Sequence, residues 1–391
     1  MNEKLIYLDN SATTKICPEA LSTYTEISLT QFGNPSSLHT LGSEAEKIIK
    51  GARDSLINSL SARGYRAIFT SSGSEANNLA IIGRAMSKER YRRGAKIITT
   101  SGEHASVNSP LDELARQGFK IVKISTVGGR IDLEELKREM TPDTVLVTMM
   151  MVNNETGALY DLKSVSEIMK RQAPEAVLHV DATQSYMKIP FTVKSVGADM
   201  ITVSSHKIHG PKGVGALLVS EAIFTKKGLS PIIFGGGQEY GLRSGTENVP
   251  AIAAFGKAVE IASLSLSENE KKLRGLRDYL IEKIKSNCLL SEISITEPSV
   301  SCPHIINITL PKIKSETMLH YLSSENIFVS SGSACSSNSQ HKTSALVAFG
   351  RSESEADTSI RISFSGENTI EDIDALCEAL SIGLSKLSRM R

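Results

Sequence analysis

Charge of a single sign is what this sequence lacks first. Its 44 lysines and arginines meet 43 aspartates and glutamates, a formal net charge of +1 at pH 7. A nucleic-acid platform or a polybasic membrane anchor needs a strong basic excess, so neither is expected. Long apolar runs are missing too. The best such stretch, residues 145–152, falls far short of the ~20 residues that cross a bilayer. At the amino terminus, Met1-Asn2-Glu3-Lys4 leads into Leu5-Ile6-Tyr7-Leu8, too brief an apolar segment for a secretory leader. Cysteine is sparse. Cys17, Cys288, Cys302, Cys335 and Cys377 form no C-x-x-C pair and no even framework. That pattern argues against a disulfide scaffold and predicts reduced thiols in the cytoplasm. No internal repeat is visible.

What is present is an ordinary globular composition, 40% hydrophobic and 22% charged over 391 residues, enough for two or three domains and a substantial core. Short apolar runs at 66–70, 96–99, 120–124, 145–147, 177–180, 200–203 and 215–219 read as seven strands. Helical spacings lie between several of them, as in 75–86 and at Leu133, Leu136 and Met140. This alternation predicts an α/β fold with a mostly parallel sheet covered on both faces. After Pro250 the pattern changes. An apolar helix is predicted over 250–264 and an amphipathic one at Leu273, Leu276, Leu280, Ile281 and Ile284. Strands at 305–310, 327–329 and 360–364 and a closing helix at 370–387 complete a smaller α+β domain. The predicted division is a large domain, 16–259, and a small one built from 1–15 and 260–391. The serine-rich tract 330–339 reads as a mobile loop.

Lys207 is the most informative residue. In Val203-Ser204-Ser205-His206-Lys207-Ile208-His209-Gly210-Pro211 it follows an apolar run and precedes a Gly/Pro stop. A primary amine then sits at the carboxyl end of a strand, where ligands of parallel sheets collect. Beside a hydroxyl and an imidazole, it has the layout of a Schiff-base lysine for pyridoxal 5′-phosphate; the plain alternative is a surface-loop lysine. A second segment, Phe69-Thr70-Ser71-Ser72-Gly73-Ser74-Glu75-Ala76-Asn77, joins a strand to a helix through small hydroxyl residues, giving an anion cradle. Simple capping by Ser74 would look the same. In His179-Val180-Asp181-Ala182-Thr183-Gln184 a carboxylate follows a strand. A pyridinium nitrogen needs such an acid, and Gln184 suits the ring's phenolic oxygen; Asp181 as a helix N-cap is the alternative. His104 follows a strand as well, and suits an imidazole stacked on the ring and exchanging protons, although a lone histidine there is more often structural. A phosphate turn, then Asp, then Lys, each at a strand end, is the order of the aspartate-aminotransferase-like fold.

Over nearly its whole length the chain resembles the NifS/IscS cysteine desulfurases, class-V aminotransferase-like enzymes of pyridoxal phosphate fold type I. The match is carried by Tyr7-Leu8-Asp9-Asn10-Ser11-Ala12-Thr13-Thr14, Phe32-Gly33-Asn34-Pro35, Glu103-His104, Asn153-Asn154-Glu155-Thr156-Gly157, the Asp181 and Lys207 segments, Gly235-Gly236-Gly237-Gln238-Glu239, Arg243-Ser244-Gly245-Thr246, Ser333-Ala334-Cys335-Ser336-Ser337 and Ile360-Arg361-Ile362-Ser363-Phe364. The resemblance implies that Lys207 tethers the cofactor and moves the Cα proton. It implies that Gly73, Ser74, Ser204 and His206 hold the phosphate, joined by Thr246 of a second copy in an obligate homodimer. Asp181 would pair with the pyridinium, Gln184 and Asn154 with the ring oxygen side, and His104 would stack on the ring. Arg361 would receive the substrate carboxylate, with Asn154 beside it. Strand alternation turns Arg361 away from Ile360, Ile362 and Phe364, though an exposed edge arginine reads alike.

Cys335 is the discriminating residue. Few pyridoxal phosphate enzymes need a thiol, and this one sits among serines on a loop with little to fix it; an inert loop cysteine is the default alternative. The resemblance implies conversion of L-cysteine to L-alanine with a persulfide on Cys335, passed to an acceptor protein such as an iron–sulfur scaffold or a thiolation enzyme. Cys335 is also a candidate transient cluster ligand with a partner, since the chain has no closed metal-ligand set of its own. The neighbouring readings are a selenocysteine lyase or an aminotransferase; outside enzymes, a scaffold of an iron–sulfur assembly complex. Some relatives carry a scaffold-docking tail, whereas this sequence stops at Arg391. That puts the acceptor's identity in doubt rather than the chemistry.

Overall fold

The computed structural model describes residues 4–87, 94–331 and 345–387. Its amino-terminal part gives β1 (Ile6–Tyr7), α1 (Pro18–Thr30) and α2 (Thr40–Ser59). Alternation follows: β2 (Tyr65–Thr70), α3 (Gly73–Ala85), β3 (Lys96–Thr100), α4 (Ala105–Arg116), β4 (Lys120–Ile124), α5 (Leu133–Glu139), β5 (Thr144–Met150), α6 (Leu162–Gln172), β6 (Val177–Asp181), α7 (Val193–Val196), β7 (Met200–Ser204), β8 (Gly215–Ser220) and α8 (Glu221–Thr225). The remainder is α9 (Val249–Ser286), β9 (Ser294–Thr296), β10 (Ile305–Thr309), α10 (Ser315–Ser324), β11 (Ile327–Phe328), β12 (Ser330–Ser331), α11 (Ala345–Phe349), α12 (Glu353–Asp357), β13 (Ser359–Ser363) and α13 (Ile370–Leu387).

All seven strands expected from the alternation join one sheet, in the order β2-β8-β7-β6-β5-β3-β4. The pairs from β7 to β4 are parallel, and β8 runs antiparallel to both β7 and β2. Neighbouring residues on a strand enter opposite cores. Ile68, Ile97, Met200 and Leu217 pack on one face, Phe69, Ile98, Ile201 and Leu218 on the other. Burial on both faces explains why these strands read as continuous apolar runs. The carboxyl ends of β2, β3, β5, β6 and β7 all fall on one edge of the sheet, and Gly215, where β8 starts, is registered between Thr70 and Ser204.

A second, antiparallel sheet, β12-β13-β10-β9, packs with α10, α13 and the latter half of α9. Ile6 and Leu8 join that core, and β1 pairs with β11. In place of two helices after Pro250 there is one of 38 residues, capped by Asn248, whose Oδ1 accepts the Ala251 N–H. Val249 to Val259 supply buried residues to the first core, Leu273 to Ile284 to the second. The division expected at 259/260 therefore falls inside a continuous helix. By composition this helix, not residues 145–152, holds the most membrane-like stretch; half of that stretch is buried in the protein, which accounts for its apolarity.

Candidate active site

A cavity of ≈ 370 Å³ opens on the carboxyl edge of the large sheet, lined among others by Gly73, Ser74, His104, Asn154, Asp181, Gln184, Ser204, His206, Lys207 and Arg361. Ten positions named from sequence thus meet in one place. Thr246 does not; it is exposed on the segment before α9. Cys335 lies outside the described residues, as does most of the serine tract from 332 onward.

The rim begins at the strand–helix turn after β2. Ser72, not Ser74, is the N-cap of α3, its Oγ accepting the Glu75 N–H at 3.1 Å. Gly73 and Ser74 therefore occupy the first helical turn, where backbone N–H groups have no intrahelical acceptor. Opposite them the Ser204 Oγ is buried without a hydrogen-bond partner. A Cβ at Gly73 would come within 3.2 Å of the Ser204 Cβ and 3.3 Å of the Thr183 Oγ1, so a side chain there would fill the cradle. His206 bonds the Thr13 hydroxyl through Nδ1 at 3.1 Å, and burial, then Lys207, pushes its pKa down to about 4. It is neutral at pH 7.

Lys207 ends a short 3₁₀ turn, and its Nζ donates to the carbonyls of Ser11 and of Ala12, the latter at 2.9 Å. Asp181 closes β6 and is 6% exposed. Its Oδ1 accepts the Thr183 N–H at 2.9 Å and its Oδ2 the Asn77 amide at 2.8 Å. No α-helix follows it directly, so it is not a helix N-cap. The Asn77 Nδ2 also reaches the Ser106 Oγ at 2.9 Å, and that hydroxyl lies 2.8 Å from the His104 Nδ1. His104 caps α4: its Nδ1 accepts the Ser106 N–H at 3.1 Å, so the neutral ring carries its proton on Nε2. Burial lowers its pKa, with Asp181 opposing and Lys207 and Arg361 assisting.

Arg361 arrives from β13, with Ile360 and Ile362 buried on the other face as alternation requires. It is 6% exposed. Its guanidinium donates to the Asn154 carbonyl at 3.0 Å and pairs with Asp9 at 2.8 Å, leaving Nε without a partner. The neighbouring Glu155 is pushed up to about 7 by burial, against Arg361 and the N–H groups of Leu346 and Ala345. Sequence reasoning gave Asp9, Ser11, Asn77, Thr183 and Glu155 no roles. All but Asn77 stood inside quoted family motifs, which was the available signal. Of the four described cysteines none lines the cavity, and burial pushes Cys302 and Cys377 up to about 11, far from thiolate chemistry.

An amine at a strand end, an acid with each oxygen singly engaged, and a phosphate-sized cradle with an orphaned hydroxyl fit pyridoxal phosphate. The class they define is a pyridoxal-phosphate-type enzyme site at a sheet's carboxyl edge. The chain belongs to the class-V aminotransferase family, whose model matches residues 6–376, and enzymes of that family use this cofactor. Among curated proteins it is 39% identical over 387 residues to cysteine desulfurase IscS 1 of Archaeoglobus fulgidus, covering 98% of both chains. A solved NifS-like protein superposes with a TM-score of 0.89 at 33% identity, over 98% of this chain and all of the other. A structure described as SspA in complex with cysteine gives 0.78 at 30% identity, over 93% and 99%.

Proposed function

We propose that this protein is a cysteine desulfurase: L-cysteine and the Cys335 thiol give L-alanine and a Cys335 persulfide. The observation that carries the reading is the convergence of Lys207, Asp181, His104 and Arg361 on one cavity beneath the Gly73–Ser204 cradle. Pyridoxal phosphate, when bound, supplies the electron sink that lets the substrate's Cα proton leave. Gly73, Ser74, Ser204 and His206 hold its phosphate, Asp181 its ring nitrogen, and Gln184 and Asn154 its oxygen side. The substrate carboxylate goes to Arg361, which Asp9 and the Asn154 carbonyl aim. The Lys207 Nζ takes up the Cα proton, and the His104 Nε2 position exchanges protons with the substrate. The Cys335 thiolate attacks the substrate sulfur; the C–S bond breaks, its electron pair with a proton completes the methyl group, and Lys207 returns the proton to Cα to give alanine. A sulfur-acceptor protein, such as an iron–sulfur scaffold or a thiolation enzyme, then receives the outer sulfur by exchange.

The division into a large unit over 16–259 and a small one over 1–15 and 260–391 belongs to this reading, as does a reducing, cytoplasmic setting for the free thiols. So does a homodimer, in which the exposed Thr246 serves the phosphate cradle of the second copy. Replacing Cys335 by Ser tests the chemistry. The variant should keep the yellow cofactor and lose persulfide formation from L-cysteine. Unchanged sulfide release in the presence of reductant would refute the nucleophile, and a keto acid as main product would make the protein an aminotransferase instead.

A further inference from the structure

Lys207 faces two cavities. Besides the one just described it lines a second, of ≈ 250 Å³, bounded by Asn10, Thr14, Met187, Lys188 and the middle of α9. Lys188 lies in the partition: it lines the second cavity, whereas its hydrogen-bond acceptor, Gln184, lines the first. It is 8% exposed and forms no ion pair with a carboxylate among the described residues. Its Nζ donates to the Gln184 Oε1 at 3.2 Å, while the Gln184 Nε2 donates to the Ser11 carbonyl at 2.9 Å. An ammonium only donates and a carbonyl only accepts, so these two partners together settle which end of the amide is oxygen. One N–H of that amide is then left without an acceptor among the described residues, on a side chain that lines the Lys207 cavity.

We propose that Lys188 is a positioning residue, which locks the Gln184 amide with its NH₂ group as the donor offered to the cofactor's phenolic oxygen and places a positive charge behind it. The inference rests on the pyridoxal phosphate reading above. Without Lys188 only the Ser11 carbonyl holds the amide's NH₂ end, so the donor is less firmly fixed, and the nearby charge is gone. Both changes raise the proton affinity of the bound chromophore. Burial pushes the Lys188 amine down to about 7, so the charge is present in part at neutral pH and fully below it. The titratable groups around it are Lys207 and His206, His209 and Glu367 on the second cavity, and Cys302, His304 and Arg361 from the segments about β10 and β13.

The test reads the visible absorbance of protein loaded with pyridoxal phosphate across pH, independent of turnover. Lys188→Met keeps the apolar stem and removes the donor; its titration midpoint should rise by about one pH unit. Lys188→Arg should return it toward the wild-type value. In a Gln184→Ala background the Lys188→Met shift should shrink, because the two act as one unit. Lys188→Gln, which also lacks the charge, should shift the midpoint in the same direction and serves if the methionine variant does not fold. A midpoint unmoved in a loaded, soluble Lys188 variant overturns the proposal and leaves the function standing. Wild-type protein that takes up no pyridoxal phosphate overturns both.

Discussion

Glu103 shows how a single side chain at this site trades stability for position. Both its oxygens are held, Oε1 by the Thr100 hydroxyl at 2.6 Å and both by the Met150 N–H at 3.0 Å, and the side chain is buried one residue before His104. Burial outweighs these hydrogen bonds and pushes its pKa up to about 8. The folded state then binds a proton that the unfolded chain has already released. Stability is lost as pH rises from the unfolded carboxyl's range toward 8 and is not regained above it. Glu103→Gln can keep the Met150 contact and reverse the Thr100 one. Relative to wild type, the variant should gain stability between pH 5 and pH 8 at up to about 1.4 kcal/mol per unit. Urea midpoints at those two pH values measure it, and an identical difference at both would mean that Glu103 is ionised throughout. Sequence gave His104 its place but not Glu103 its state. A strand end is visible in local pattern, whereas desolvation depends on what β5 brings from nearly fifty residues away.

At the scale of elements, the order of strands was more legible than their partners. Short apolar runs located every strand of the large sheet, and period-two alternation the inward side of Arg361. The antiparallel turn of β8 was implied too: ten residues separate β7 from β8, too few for a parallel crossover. What local pattern lacks is the contact between distant segments. The pairing of Arg361 with Asp9 joins opposite ends of the chain, and the register of β2 against β8 sets Gly215 beside the turn at Ser72 and Gly73. That register makes a prediction. A Cβ on Gly215 would lie 2.6 Å from the Ser72 carbonyl carbon and 2.8 Å from the Gly73 nitrogen, so Gly215→Ala must push the cradle outward by moving backbone. Pyridoxal phosphate affinity should fall tenfold or more, about 1.4 kcal/mol, with far-ultraviolet circular dichroism unchanged. Wild-type affinity in a folded Gly215→Ala protein would mean that the Gly73 turn does not hold the phosphate.

Across the whole molecule, α9 is the member that both cores share. Phe255, Val259 and their neighbours are packed under the large sheet, Leu273, Leu276, Leu280 and Ile284 against the second one, and the exposed Ser267 and Glu268 lie between. Arg361, paired with Asp9, reaches the Lys207 cavity from the side of the second core, while Lys207 and Asp181 belong to the first. A rigid α9 therefore ties the position of Arg361 to that of Lys207 and Asp181. If so, the two cores should melt together, because separating them means breaking the helix or exposing one of its apolar halves. Wild-type protein is expected to unfold in one calorimetric transition. Proline at Glu268 removes the N–H bond to Leu264 and clashes with that carbonyl, at a cost of about 3 kcal/mol, without touching either core or the cavity. Glu268→Pro should thus split the transition in two and raise KM for L-cysteine more than it lowers kcat, since Arg361 is what shifts. Two transitions already present in wild-type protein would show that α9 connects the cores without coupling them.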